Sequence, residues 1–227
     1  MKHLFLIAGV CGTMLLGGCS SISQLHSQYN KNKAQNEFNR SVSDSQFMVL
    51  EAEALLMKGR ANEAKILLDN AFQRFKDHVS LHETYQLYYQ RTGNDRLAAL
   101  AQKRANDMKE RSSALNKKGR VAMVDYEAFE VAEDLFALSL TYWAENTGTL
   151  INMATLAYVT HNVSMGLASI DHLNRLGHTS AEASMLSYLI HDMAGNNDMA
   201  QIARIEMATL YKETDQYRLI SNADYRG

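Results

Sequence analysis

Proline is missing from all 227 residues, and glycine accounts for only 12 of them. Nothing in the body of the chain forces a helix to stop, and the residues there are mostly Ala, Leu, Met, Glu, Lys, Gln and Arg at helical spacing. The expected class is therefore all-α. Cysteine occurs twice, which rules out a disulfide framework. Charge of one sign is lacking too: 23 Lys and Arg face 25 Asp and Glu, a net charge of −2. That balance leaves no basic footprint for nucleic acid. The N-terminal apolar stretch is shorter than the roughly 20 residues that cross a bilayer core. Two hundred residues suffice to bury a good core as one domain.

What is present begins at the N-terminus. Lys2 supplies a positive start, Leu4-Phe5-Leu6-Ile7-Ala8-Gly9-Val10 and Met14-Leu15-Leu16 an apolar stretch, and Leu16-Gly17-Gly18-Cys19 a close of small residues before a thiol. An ordinary secretory signal ends in an A-x-A-like site instead. The Leu16–Cys19 segment resembles the lipobox of bacterial lipoproteins. The resemblance implies that residues 1–18 are a signal peptide and that Cys19 is the lipidated first residue of the mature protein, carrying diacylglycerol and an N-acyl chain. More than one acyl chain makes such anchoring stable. Ser20, rather than Asp, follows Cys19, and by the same resemblance this directs the protein to the inner leaflet of the outer membrane, facing the periplasm. Cys11 lies in the removed segment and the Cys19 sulfur is consumed by lipid, so the mature chain holds no thiol and no disulfide. Loss of Lys2 leaves 22 basic against 25 acidic residues, a net of −3.

The body repeats. Gly59, Gly93 and Gly195 are separated by 34 and by three times 34 residues. Ala64, Ala98, Ala132 and Ala200 keep the same period, with Gly166 in the remaining slot. Ala71, Ala105, Ser139, Leu173 and Met207 form a third column. Leu68, Phe136 and Ile170 form a fourth, in which Gln102 and Arg204 are exceptions. Such columns follow from helix-pair packing: a small residue lets one helix approach its partner, a bulky one fills the hole beside it, and a glycine relaxes the turn between them.

A period of 34 with a small residue at a fixed place resembles the tetratricopeptide repeat, most clearly in Gly59-Arg60-Ala61-Asn62-Glu63-Ala64-Lys65-Ile66-Leu67-Leu68-Asp69-Asn70-Ala71. The expected fold is a tetratricopeptide-like superhelical solenoid of about five helix pairs. The repeats are framed at 45–78, 79–112, 113–146, 147–180 and 181–214, each with its first helix in the first 14 residues or so. Ser45, Ser80 and Thr147 are expected near helix caps. The copies depart from the pattern in lacking the terminal proline and in placing Glu127 and His161 in the glycine column. The first helix of the third copy, around Gly119, also falls out of step by one residue. Residues 19–44 read either as a polar tether of roughly 25–30 Å reach or as a leading helix that uses Leu25, Tyr29 and Phe38 to cap the first repeat. Residues 215–227 form a tail or cap.

Catalytic constellations are hard to find. His82-Glu83-Thr84-Tyr85-Gln86 begins like a zinc-protease H-E-x-x-H but has Gln where the second ligand belongs. His78 and His82 read as surface histidines at a repeat junction. Gly119-Arg120 makes no phosphate loop. The run Asp125, Glu127, Glu130, Glu133 and Asp134 reads as a solvated face. No enzymatic activity, metal, cofactor or small-molecule substrate is expected.

Repeat solenoids present their first helices along a concave surface. By the tetratricopeptide frame, the inward candidates for partner binding are Val49, Leu56, Met57, Leu87, Ile151, Tyr158, Met185 and Leu189, with Glu53, Glu83, Arg91, Thr155, Val159, Asp192 and Met193 beside them. The set is apolar and suits an amphipathic helix or apolar strand of a protein partner. Lipobox, tether and repeats together resemble the tetratricopeptide lipoproteins of type IV and Tad (Flp) pilus systems. That resemblance implies a scaffold that helps assemble or localise an outer-membrane secretin or another pilus component. An adaptor for peptidoglycan hydrolases or synthases, or a subunit of an outer-membrane assembly complex, is the alternative.

Overall fold

A computed structural model describes residues 36–223, so the expected signal peptide at 1–18, Cys19, Leu25 and Tyr29 lie outside the described residues. Ten α-helices and no strand occur among the described residues. Helix α1 occupies 36–57. It is followed by α2 (Ala61–Arg74), α3 (Val79–Arg91), α4 (Asp95–Val124), α5 (Phe129–Tyr142), α6 (Thr147–Val159), α7 (Val163–Arg175), α8 (Ala181–Met193), α9 (Asn197–Leu210) and α10 (Asp215–Ala223). The architecture is the all-α, tetratricopeptide-like stack of helix pairs.

The 34-residue period is carried by the backbone itself. Helices α2, α4, α5, α7 and α9 start at residues 61, 95, 129, 163 and 197. Two residues before each start, Gly59, Gly93, Glu127, His161 and Gly195 all have positive φ, between 49° and 75°. At Gly59, Gly93, His161 and Gly195 the chain closes with paired bonds typical of a helix ending in a left-handed residue, such as Asn94 N–H to the Tyr89 carbonyl and Asn162 N–H to the Ala157 carbonyl, both 2.8 Å. Glu127 and His161 thus adopt the conformation that glycine takes elsewhere in the column.

Between Arg91 and Phe129 the pattern changes. Instead of two helices with a reversal at about residue 112, α4 runs unbroken for 30 residues, a length of about 45 Å. The second helix of the second pair and the first helix of the third are one rod. Between α2 and α3 and between α5 and α6 the reversal is made by extended backbone, at Phe75 and His78 and at Trp143 and Asn146, and between α7 and α8 it passes through Gly177 at φ 64°. Lys109-Glu110-Arg111-Ser112 contains no residue that opposes helix, and the buried contacts of Ser112 with Ser139 and Asn146 hold the helix continuous through it. α4 also ends three residues before Glu127, whereas α3, α6 and α8 end two before their left-handed residue. This extra residue accounts for the shift around Gly119, which lies buried against Phe136.

Three apolar clusters fill the stack. Val49, Ala52, Leu56, Ala64, Leu68, Leu81 and Tyr85 form the first, joining α1, α2 and α3. Ala122, Met123, Ala132, Phe136 and Leu156 join the end of α4 to α5 and α6. Leu150, Ile170, Leu173, Leu186 and Ile190 join α6, α7 and α8. α10 packs on α8 and buries Ile220.

The expected caps differ from the observed ones. Ser45 is inside α1, fully buried, with its hydroxyl within hydrogen-bond distance of the Ala71 and Phe75 carbonyls (2.9 and 3.0 Å). Ser80 and Thr147 fall inside α3 and α6, whose caps are His78 and Asn146. The helix is already formed at 36, so the stretch from 36 to 44 is not tether. There Phe38 meets Phe75 edge-on at 5.6 Å. No described helix is long and apolar enough to cross a membrane.

Candidate interaction surface

Two buried polar knots fix how the pairs meet. In the first, His78 stacks on Phe75 (5.8 Å) and lies 2.9 Å from Ser45 Oγ through Nε2 and 2.9 Å from Ser80 Oγ through Nδ1. With the Ser45 hydroxyl donating to a carbonyl of α2, the imidazole donates from Nε2 and accepts at Nδ1, the arrangement of a neutral ring. Burial, with the neighbouring His82, depresses its pKa to about 4. His82 is buried as well, and its pKa is lowered first by burial and then by Arg104. Neither is the surface histidine expected from sequence. The junction between pairs is where α1, α2 and α3 converge, and that convergence excludes water.

In the second knot, Ser112 in the middle of α4 is fully buried. Its hydroxyl lies 2.8 Å from Ser139 Oγ and accepts from Asn146 Nδ2 at 2.9 Å. Ser139 in turn reaches Thr149 Oγ1 at 2.9 Å. The knot ties α4, α5 and α6 together where a turn was expected.

Around this midpoint of α4 the two halves of the stack face each other. Lys109 pairs with Glu83 of α3 at 2.6 Å and stands 5.4 Å from the Trp143 ring centre. The Arg111 guanidinium lies 4.4 Å from the ring centre of Tyr142. A cleft of about 440 Å³ opens here, with Gln46 and Leu50 of α1, Val79 and Glu83 of α3, Tyr142 and Trp143 at the end of α5, and His172 and Leu176 at the end of α7 among its walls. Burial and the nearby Arg175 lower the His172 pKa, so the ring is held towards its neutral form. The walls mix apolar side chains with polar ones such as Gln46, Glu83 and His172, a composition that accepts an apolar side chain while offering polar partners beside it.

The candidates chosen from sequence separate into groups. Val49 and Leu56 are 1% and 0% exposed and belong to the first core cluster, so they are not available to a partner. The α1 register turns Val49, Ala52 and Leu56 towards α2 and α3, leaving Phe47, Leu50 and Met57 outside. Met57 is 69% exposed and Tyr158 38%. Leu87 and Ile151 are half-buried against the core clusters, and Met185 and Leu189 are half-buried on α8. Arg91 is turned back on α1, bonding the Leu56 carbonyl and the Met57 sulfur. Leu50, Tyr142, Trp143, His172 and Leu176 were absent from the sequence-derived set. Only the convergence of α1, α3 and the ends of α5 and α7 brings them together, although the single tryptophan was a visible signal.

No protein-family model matches this chain, and neither does any curated protein. Among solved structures, it is similar to a type IV pilus biogenesis factor, PilW (11% identity, 78% of this chain and 97% of that one, TM-score 0.40). It is also similar to PilF of Pseudomonas aeruginosa (15% identity, 81% and 99% covered, TM-score 0.38). A third is a tetratricopeptide repeat protein from Parabacteroides merdae ATCC 43184 (15% identity, 77% and 71% covered, TM-score 0.41). At these identities and scores the likeness is one of helix-pair architecture and says nothing of partners.

Proposed function

We propose that this chain is a lipid-anchored scaffold of the periplasm that holds another envelope protein, with no catalysis of its own. The observation that carries the reading is the cleft at the midpoint of α4, where Leu50, Val79, Trp143 and Leu176 offer apolar wall on a rigid helical frame. A few anchor side chains seated in pockets carry most of the energy of protein recognition, and tryptophan is among the residues enriched there. Cys19 supplies the membrane attachment through diacylglycerol and N-acyl chains, at the inner leaflet of the outer membrane. Assembly or localisation of a pilus secretin is the role to test first.

The test uses the full chain in its own membranes. Leu50→Asp and Trp143→Ala, each checked for an unchanged melting temperature, should abolish co-purification of the partner after cross-linking. Recovery of a secretin, with secretin multimers lost on deletion of this chain, supports the pilus role. Recovery of cell-wall hydrolases or synthases replaces it with an adaptor role, and undiminished capture by both variants removes the cleft from consideration. For the anchor, Cys19→Ser should release the protein from the membrane fraction and abolish palmitate incorporation.

A further inference from the structure

The last turn of α4 and the last turn of α6 lie side by side. Asn152 of α6 donates to Asn116 of α4 at 2.8 Å, and Met123 and Leu156 share one core cluster. Two helical turns beyond that asparagine pair, both helices end on the same edge of the stack, and the side chains there are apolar and exposed: Val124, Tyr126, Tyr158 and Val159. Tyr126 is 75% exposed, in a turn that gives it no packing reason to be aromatic. The residues around it are acidic. From 124 to 134 the chain carries Asp125, Glu127, Glu130, Glu133 and Asp134 and no Lys or Arg, and all five acids are exposed. None of the five appears in the described ion pairs. The nearest cations on α4 are Arg120, one turn back, then Lys117 and Lys118.

We infer that this edge docks a basic amphipathic segment of a protein partner, its apolar side chains on Tyr126 and Tyr158 and its Lys or Arg side chains against the carboxylates of residues 125–134. The inference rests on the scaffold reading and adds the chemistry of what is held. Two tyrosines supply large contact area at low entropic cost. The acidic segment sets the sign of the partner and its rate of encounter. The same carboxylates repel an anionic lipid surface, so exposed aromatics here do not serve membrane insertion.

Two labelled peptides of equal apolar content, one a Leu/Lys amphipathic helix and the other its Leu/Glu counterpart, are titrated with the full chain by fluorescence anisotropy. The Lys peptide is expected to bind and the Glu peptide not to, with affinity falling about tenfold or more when salt is raised. Glu130→Lys with Glu133→Lys, and separately Tyr126→Ser with Tyr158→Ser, should each weaken binding about tenfold. Asp107→Lys with Glu110→Lys in the middle of α4, both exposed and an equal change in net charge elsewhere, should leave it unchanged. Equal loss with the control pair, no loss with the tyrosine pair, or binding of the Cys19→Ser chain to anionic phosphatidylglycerol vesicles that the tyrosine pair abolishes would each overturn the inference. Because the cleft variants leave this edge intact, loss of partner capture with peptide binding retained overturns neither this docking edge nor its chemistry, and separates failure of one reading from failure of the other.

Discussion

Glu127 and His161 hold a left-handed backbone (φ 49° and 55°) at positions where Gly59, Gly93 and Gly195 hold the same conformation without strain. A residue with a Cβ placed there costs about 1–2 kcal/mol. Glycine gives back about 0.5–1 kcal/mol of that through its greater freedom in the unfolded chain. Both side chains are exposed, so their removal forfeits no packing. Glu127→Gly and His161→Gly should therefore each stabilise the protein by about 0.5–1 kcal/mol, the difference between those two terms. In a chain of this size each kcal/mol moves the thermal midpoint by about 2–4 °C. The converse control is Gly93→Ala, where an added Cβ meets nothing within 4 Å, so that any loss is conformational alone. It should cost about 1 kcal/mol. Urea unfolding followed by circular dichroism, with the slope unchanged, reads all three. A lowered midpoint in both glycine variants, or an unchanged one in Gly93→Ala, would refute the assignment of strain to this column.

Gly119→Ala places a Cβ 2.5 Å from a ring carbon of Phe136 in the core, and should destabilise by about 1–3 kcal/mol. Phe136→Leu in the same chain should recover part of that loss, and a double-mutant cycle in urea reports the coupling. Ser112→Ala removes the acceptor of Asn146 and the partner of Ser139 in a fully buried site, a cost of about 1–3 kcal/mol in the same assay. Stability should also fall in acid because of His78. The folded protein takes up its proton only near pH 4, whereas the unfolded chain does so near the ordinary value of about 6.5. Full stability is thus present above about pH 6.5, and about 3 kcal/mol is lost between there and pH 4. His82 is shifted in the same direction. His78→Gln should flatten this slope when melting is followed across pH, and an equally steep profile would count against the buried neutral ring.

Periodicity by itself determined the class, the 34-residue spacing and the starts of the second helices, because those follow from local packing rules. Small residues such as Ala64 and Ala132 must stand where two helices touch, and a left-handed residue must stand before each second helix, whether or not it is glycine. Features that depend on elements distant in the chain were settled only by tertiary structure. Helical spacing marks which residues are apolar but not how far a helix is rotated, so Val49 and Leu56 read as groove residues and proved to be core. The histidines at 78 and 82 are polar in sequence, and it is the convergence of α1 and α2 on α3 that buries them. A run such as Lys109–Ser112 fits a helix or an exposed turn equally well. Packing decided for the helix, because Ser112 finds Ser139 and Asn146 only if α4 continues through it. That one unbroken rod then sets the cleft, since it carries the end of α5 and the end of α7 round to face α1.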